Sequence, residues 1–163
     1  MDEHGSVARA REFLGIARSP IMRELLAYWL SVHPGGSLPG RRHFDPLEIP
    51  RGLPHLVLTD VERDPWRFRI RLMGTAVVSA FERDFTGLYV DETVPGMAQS
   101  FAVQHRIEVA ETGLPSYRYG TTSVPFRLGF APLERVYLPL AADGERVDMI
   151  LGMAIYLVRD GTG

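Results

Sequence analysis

The chain has 163 residues, with 18 basic and 20 acidic side chains and a formal net charge of -2. It contains no Cys, which excludes disulfides, thiolate zinc sites, iron–sulfur clusters, and flavin–cysteinyl and thioester-linked chromophores. All the basic residues are Arg, so a Walker A loop and a Lys Schiff base are also excluded. The balanced charge provides no excess of cations, and we expect no nucleic-acid partner.

The length predicts one domain, since chains of this size bury about 68–70% of the surface that the unfolded chain exposes. No charged-then-apolar signal pattern opens the sequence. Every apolar stretch is broken well before the ~20 residues that a membrane helix requires. We therefore expect a cytoplasmic protein with no membrane partner.

The N-terminal third predicts a helix followed by a linker. We expect residues 1–18 to form a tail or a short helix, after which Ser19 supplies an N-cap and Pro20 the first helical position. Apolar residues then recur at helical spacing: Ile21, Met22, Leu25, Leu26, Trp29 and Leu30. Residues 34–54 are rich in Pro and Gly and predict an extended connection with no regular element. Helix and linker together make up residues 19–54.

After this linker the apolar period changes to two, which predicts a β-hairpin. Residues 56–61 and 67–72 are the two strands, and Asp64-Pro65 is the turn. Apolar and basic residues alternate along the second strand, so one face lies in the core and the other faces solvent. The solvent-facing positions are Arg67, Arg69 and Arg71.

Two helical segments follow the hairpin. Residues 74–87 are compact and mainly helical, and a longer helix runs from Met97 to Thr112 with Gly113 as its stop. On an ideal wheel the longer helix has two opposite apolar facets, which predicts contacts with two different surfaces. The facet expected to face the sheet contains Ala98, Phe101, Ala102, His105 and Val109.

The last third predicts three strands, residues 116–124, 133–140 and 147–158, with a turn at residues 142–145. Both faces of the final strand are apolar, so we expect both to be covered. The helix of residues 20–33 is one candidate cover. A second subunit is the other, and it would give a homodimer through the N-terminal helix.

The order of elements is that of a PAS domain, and one segment carries the resemblance. FRIRLMGTAVVSAFERDFTG, residues 68–87, resembles the start of a PAS core, with a strand, a Gly-Thr entry to short helices, and a D-x-T-G end at Asp84, Thr86 and Gly87. The flanking sequences resemble a family of short stand-alone bacterial PAS-like proteins. The resemblance spans residues 20–158.

This resemblance implies an α+β fold, a PAS-like five-stranded antiparallel sheet with helices on one face plus an N-terminal amphipathic helix. Residues 55–158 would form the PAS-like core, and the sheet would cup a ligand-sized space beneath the long helix. The resemblance implies sensing or signalling rather than turnover. It identifies no ligand and no binding residue.

His105 is the sharpest candidate for a ligand contact in the cup. In haem-binding PAS proteins the axial His lies on the corresponding long helix, so the resemblance makes His105 a conceivable haem ligand. The alternative is a core or helix-edge His that is hydrogen-bonded to backbone or water. With Glu108 it forms H-x-x-E, which lacks the second His of a zincin helix. We therefore predict no metal-binding site.

Aromatic and long apolar side chains on the long helix and the late strands are the other candidate contacts. The expected cup residues besides His105 are Phe101, Tyr117, Tyr119, Tyr137 and Met153. Ordinary packing is the alternative reason for such residues on strands.

The basic strand face is the candidate surface for a protein partner. Arg67, Arg69 and Arg71 could grip an acidic partner or a phosphate. An ordinary solvated face, with charges that protect a sheet edge, is the alternative.

These observations favour a non-catalytic sensory or regulatory module that binds an unidentified small molecule, an unidentified signalling protein, or both. Few residues lie outside the predicted core, so we expect the output to pass through contact with another molecule. One alternative is a ligand-free adaptor whose cup is filled by Phe101, Met149 and Met153. The other is a small α+β enzyme with His105 as base, although no nucleophile or metal set accompanies that residue.

Overall fold

The computed structural model describes residues 2–121 and 132–157, and within them it contains helices, strands and short 3-10 turns. The helices are α1 (Gly5–Ile16), α2 (Pro20–Val32), α3 (Thr75–Phe81) and α4 (Phe101–Thr112). The strands are β1 (Leu56–Glu62), β2 (Arg67–Met73), β3 (Ser116–Thr121), β4 (Pro132–Leu140) and β5 (Met149–Tyr156). The predicted helix after Ser19 is confirmed as α2, and α1 is a regular helix of 12 residues.

The strands form one antiparallel sheet in the order β2-β1-β5-β4-β3. Strand β5 is central, because it pairs with β1 on one side and with β4 on the other. Strands β1 and β2 form the predicted hairpin, with Phe68 and Ile70 buried while Arg69 and Arg71 are exposed. The five-stranded antiparallel α+β fold is therefore confirmed.

The pairing register assigns each side chain to one face of the sheet, because directly paired residues on antiparallel strands project to the same side. Val57, Gly152 and Tyr137 form one such row. They line a space shared with α3 and α4, and we call this side the cup face. Met153 and Val136 form the adjacent row and point to the opposite face.

Helix α2 covers this opposite face with its apolar side. Its fully buried side chains are Met22, Leu25, Leu26 and Trp29. They belong to the same core cluster as Val136, Leu138 and Met153 of the sheet. The apolar face that a homodimer through this helix would use is therefore occupied within the chain. None of the helices in residues 2–121 and 132–157 has the length and apolarity to cross a membrane.

Two segments differ from the sequence expectation. The linker of residues 34–54 is not wholly irregular, since it contains the 3-10 turns Arg41–His43 and Pro46–Glu48. The carboxylate of Asp45 accepts the N–H of Leu47 (3.0 Å) and closes the second turn. The reason is local: an Asx side chain followed by Pro preorganises a turn even inside an extended connection.

The predicted long helix is interrupted at Ser100. A 3-10 turn, Met97–Gln99, is separated from α4 by the extended backbone of Ser100 (ψ 165°), whose hydroxyl donates back to the carbonyl of Met97. The last residues of two predicted strands, 122–124 and Val158, lie outside the described residues.

A buried carboxylate attaches the start of α2 to the sheet. Glu134 on β4 has no solvent exposure and accepts the backbone N–H groups of Arg18 (2.7 Å) and Ser19 (2.9 Å). The hydroxyl of Tyr117 on β3 donates a third bond (2.5 Å). The Ser19 side chain makes no cap bond of its own. The sheet, rather than the cap side chain, therefore holds the chain where α2 begins.

A chain of hydrogen bonds connects the other end of α2 to α1. His33 Nδ1 accepts the N–H of Gly35 (2.9 Å), so the proton of the neutral ring lies on Nε2. His33 Nε2 donates to Ser6 Oγ (2.9 Å), and the Ser6 hydroxyl donates to His4 Nδ1 (2.8 Å). Burial, reinforced by His4, lowers the pKa of His33 to about 4. This connection therefore requires a neutral His33.

We expect the protein to lose stability as the pH falls from 6.5 to about 4. In that interval the unfolded chain protonates His33 while the folded protein keeps it neutral, so acid favours the unfolded state. Because His33 is only partly buried, the expected loss is about 1 kcal/mol, well below the ~3.4 kcal/mol that ~1.36 kcal/mol for each of about 2.5 pKa units would give. Urea unfolding across this pH interval measures the effect. An equal acid loss in His33→Gln would contradict the assignment.

Replacing Glu134 should loosen the N-terminal helices. Glu134→Gln keeps one acceptor oxygen but turns an NH₂ group toward backbone donors, so the free energy of unfolding should fall by about 1–3 kcal/mol. Tyr117→Phe removes a single bond to the same carboxylate and should cost about 1 kcal/mol. Urea unfolding compares the two variants. Equal losses, or none in Glu134→Gln, would argue against this attachment.

Candidate functional site

A cavity of about 110 Å³ lies between α4 and the cup face of the sheet. Its apolar wall comes from the sheet, from α3 and from the segment before α4: Val57, Ile70, Val77, Phe85, Met97 and Ala154. Its polar wall lies where α4 meets β3 and β4. The cavity therefore has an apolar interior and one polar side.

Three Arg side chains dominate the polar wall, and we call them the arginine cluster: Arg106 from α4, Arg118 from β3 and Arg135 from β4. Arg118 and Arg135 are directly paired across the two strands and so project to the same face. Arg106 and Arg135 are each only 5% exposed. The fold therefore gathers three cations at one side of an apolar cup.

The buried guanidinium groups use neutral acceptors. Arg106 Nη1 donates to the carbonyl of Ala102 (2.9 Å) and to the hydroxyl of Tyr137 (2.9 Å). Arg135 Nη1 donates to Ser116 Oγ (3.2 Å). The ring of Tyr137 lies 4.2 Å from Arg106 Cζ and 4.1 Å from Arg135 Cζ. Its π face offsets part of the charge of both groups.

Negative charge is scarce around the arginine cluster. Among the described residues, no carboxylate forms an ion pair with Arg106, Arg118 or Arg135. Burial lowers the pKa of Arg135, and the neighbouring charges of Arg106 and Arg118 lower it further against the opposing effects of Tyr137 and Glu108. The surroundings of Arg135 therefore destabilise its charged form.

His105 does not fit a haem ligand. Its Nδ1 accepts a hydrogen bond from Arg135 Nη2, and because Arg can only donate, the proton of the neutral ring lies on Nε2. Neither ring nitrogen then offers a free lone pair to iron. Burial, and after it the charge of Arg135, lowers the pKa of His105. The ring stacks on Phe101, with centroids 5.2 Å apart.

Two of the aromatic residues expected in the cup do line it. Tyr137 lines the cavity beside the arginine cluster. Phe101 also contacts the cavity but is 43% exposed, and the guanidinium of Arg118 lies 4.7 Å from its ring centroid. Phe101 therefore lies at the rim of the cup rather than inside it.

The structure places Tyr117 and Tyr119 on the face opposite the cup, which corrects the expectation for both. The ring of Tyr117 stacks on Phe13 of α1 (5.5 Å between centroids), and burial, with its bond to Glu134, raises its pKa. The ring of Tyr119 lies under the guanidinium of Arg18 (3.7 Å). Both tyrosines thus contact the N-terminal helices and the segment that joins them.

Met153 is also directed away from the cup, although it contributes to the cavity wall. A Cβ at Gly52 would lie 2.9 Å from Met153 Cε and 3.6 Å from Ile21 of α2, so the end of the Met153 side chain packs under the helical layer. Strand β5 is apolar on both sides, so its sequence alone does not reveal which alternate positions face the cup.

Two members of the basic strand face are paired within the chain. Arg67 contacts Asp91 (3.1 Å), and Arg71 contacts Asp60 (2.9 Å). Arg69 lies 6.0 Å from the ring of Tyr89. As a partner surface this strand face stays a prediction, with much of its charge already neutralised.

Sequence reasoning missed the arginine cluster as a site. Arg118 lies between two tyrosines and Arg135 between Glu134 and Val136, and Arg106 falls between the two apolar facets of the α4 wheel. One signal was available in the sequence. Leu133, Arg135 and Tyr137 are alternate residues of β4 and therefore share one face, so this Arg lies between two largely apolar side chains.

A sequence model of the PAS domain family matches residues 17–155. A comparison with curated proteins gives no match. Similar solved structures include the PAS domain of BvgS from Bordetella pertussis, at 16% identity and a TM-score of 0.42 over 72% of this chain and 90% of that chain. Another is a fungal LOV domain photoreceptor, at 15% identity and a TM-score of 0.45 over 90% of this chain and 99% of that chain. Because the family model matches most of the sequence, the chain belongs to the PAS domain family.

Proposed function

We propose that the chain is a non-catalytic, cytoplasmic sensory module that binds a small molecule in the cup beneath α4. Membership of the PAS family supports a role in sensing and signal transduction. The observation that carries the ligand proposal is the cavity of about 110 Å³. For scale, an engineered apolar cavity of about 150 Å³ takes up benzene. The cup is smaller than that cavity, so its ligand would have to be a compact organic molecule.

The open cup argues against a ligand-free adaptor. Such an adaptor needs side chains that fill the space, and the three expected ones do not fill it. Phe101 stands at the rim, and the Met153 side chain points to the opposite face. Met149 pairs with Leu140 and lies on that same opposite face, since it is four residues before Met153 on the strand.

An enzyme working in the cup finds little support. His105, the one candidate base, has its Nδ1 engaged by Arg135 and is not among the described residues that line the cavity. In the described part of the chain, no three His, Asp or Glu side chains cluster as they would for a metal. These features favour binding over turnover.

A signalling partner and a homodimer are further parts of the proposal. The apolar face of α2 is occupied within the chain, so a homodimer would use a different surface. Arg69 is the strand-face Arg for which no ion pair occurs among the described residues, and it is the best contact for an acidic partner there. Light scattering at high protein concentration tests the dimer, and a monomer would contradict it.

Gently purified protein should carry a non-covalent ligand that native mass spectrometry detects as an added mass. An absorption spectrum of the same sample tests the haem conclusion, because a Soret band would overturn it. A bare protein that also binds none of a panel of small metabolites would count against the proposed function.

Filling the cup should abolish ligand binding without unfolding the protein. Ala154 lines the cavity from β5, and Ala154→Leu places a larger apolar side chain there. A ligand at 100 times its Kd stabilises a protein by about 2.7 kcal/mol, or roughly 5–10 °C for a domain of this size. Ala154→Leu should lose that thermal shift. Ala8→Leu, the same change on the exposed side of α1, should keep it, and an equal shift in both variants would place the ligand elsewhere.

A further inference from the structure

We propose that the ligand of the cup is a small organic anion, a carboxylate with a compact apolar body, held by Arg106, Arg118 and Arg135. This inference rests on the proposed function and adds the chemical class of the ligand. It is carried by the hydrogen-bonding state, the strand register and the charge balance of the arginine cluster. Each of these indicates that a negatively charged hydrogen-bond acceptor is missing.

Arg106 brings an unused hydrogen-bond donor to the cup. The residue is 5% exposed and lines the cavity, and its Nη1 already donates to Ala102 and Tyr137. Its Nε–H is buried and has no hydrogen-bond partner among residues 2–121 and 132–157. Folded proteins rarely leave such a donor unsatisfied, because the donor loses its bonds to water without replacement. An acceptor atom of a ligand in the cavity would supply the missing partner.

The strand register adds a repulsion between like charges. Arg118 and Arg135 face each other directly across β3 and β4, an arrangement that is destabilising for like charges. Burial of Arg135 at 5% exposure reduces the screening that water would provide. An anion between the two guanidinium groups would convert this repulsion into two attractions.

The residues around the arginine cluster and those outside the described part supply little negative charge to it. No carboxylate among the described residues pairs with it. Residues 122–131 and 158–163, which lie outside the described part, contain one acidic residue, Asp160, against Arg127 and Arg159. A bound anion is therefore the simplest source of the missing charge.

The geometry favours an organic carboxylate over a bare anion. Guanidinium groups present paired N–H donors that match the two oxygens of a carboxylate. Most of the cup wall is apolar, and an ion without an apolar body would leave that wall unfilled. The cavity volume of about 110 Å³ limits the body to roughly a benzene ring or a short branched chain.

Isothermal titration calorimetry on the full chain tests the inference with three probes. Benzoate supplies the carboxylate and the apolar body, benzamide is its neutral isostere, and inorganic phosphate is an anion without an apolar body. We expect benzoate to bind at least about 10-fold more tightly than either of the others. Only benzoate can both fill the space beside the apolar wall and pair with the arginines of the polar wall.

Substitutions in the cluster identify the groups responsible. Arg106→Met and Arg118→Gln should each weaken benzoate binding about 10- to 100-fold, the effect of removing one charge-assisted hydrogen bond. Arg9→Gln, on the exposed side of α1, is the matched control and should change nothing. If Arg106→Met does not fold, the Arg118→Gln variant still tests the inference, because Arg118 is only half-buried.

The outcomes separate this inference from the proposed function. Benzamide binding as tightly as benzoate, with no effect of the Arg substitutions, would overturn the anion and leave the cup as a ligand site. Phosphate binding as tightly as benzoate would overturn the conclusion that the ligand has an apolar body. No binding of benzoate by a folded protein overturns the inference. The proposed function fails separately, either if the protein carries no ligand and binds none of the metabolite panel, or if Ala154→Leu leaves every ligand mass and thermal shift unchanged.

Discussion

Strand β4 carries two buried charges of opposite sign on consecutive residues, and the pleat of the strand sends them to opposite faces of the sheet. Glu134 points to the helical layer, where it holds the backbone of Arg18 and Ser19. Arg135 points into the cup. The candidate ligand site and the start of α2 are therefore attached to one strand, one residue apart, so neither can move far without the other.

The two faces satisfy their charges in different ways. Glu134 accepts three hydrogen bonds, from two backbone N–H groups and from the hydroxyl of Tyr117, which suits a buried carboxylate. The cup face holds three guanidinium groups whose acceptors among the described residues are a carbonyl, hydroxyls, an imidazole nitrogen and aromatic rings. All of these are neutral. The charge of Glu134 is thus fully hydrogen-bonded, whereas the cup face retains positive charge.

The fold could be predicted from the sequence because its periodicities are local. The alternation of Phe68 and Ile70 with arginines marks β2, and the helical spacing from Met22 to Trp29 marks α2. The site could not be predicted in the same way. Strand β3 places Tyr117 and Tyr119 on one face and Arg118 on the other, but this alternation does not show which of the two faces is the cup. Register across the sheet, which depends on contacts distant in sequence, decides it.

Helix α4 shows that an ideal wheel located the inward face only in part, since Phe101 and Ala102 line the cavity but His105 does not. The buried side of α4 consists of Arg106, Val109 and Ala110, and Phe101 at the first position of the helix stands at the rim. Burial of an unpaired cation opposes folding, and a Leu at position 106 would pack against the sheet without that cost. Core packing alone therefore gives no reason for an Arg there. An anion in the cup does, because it would supply the opposite charge that the described residues around the arginine cluster lack.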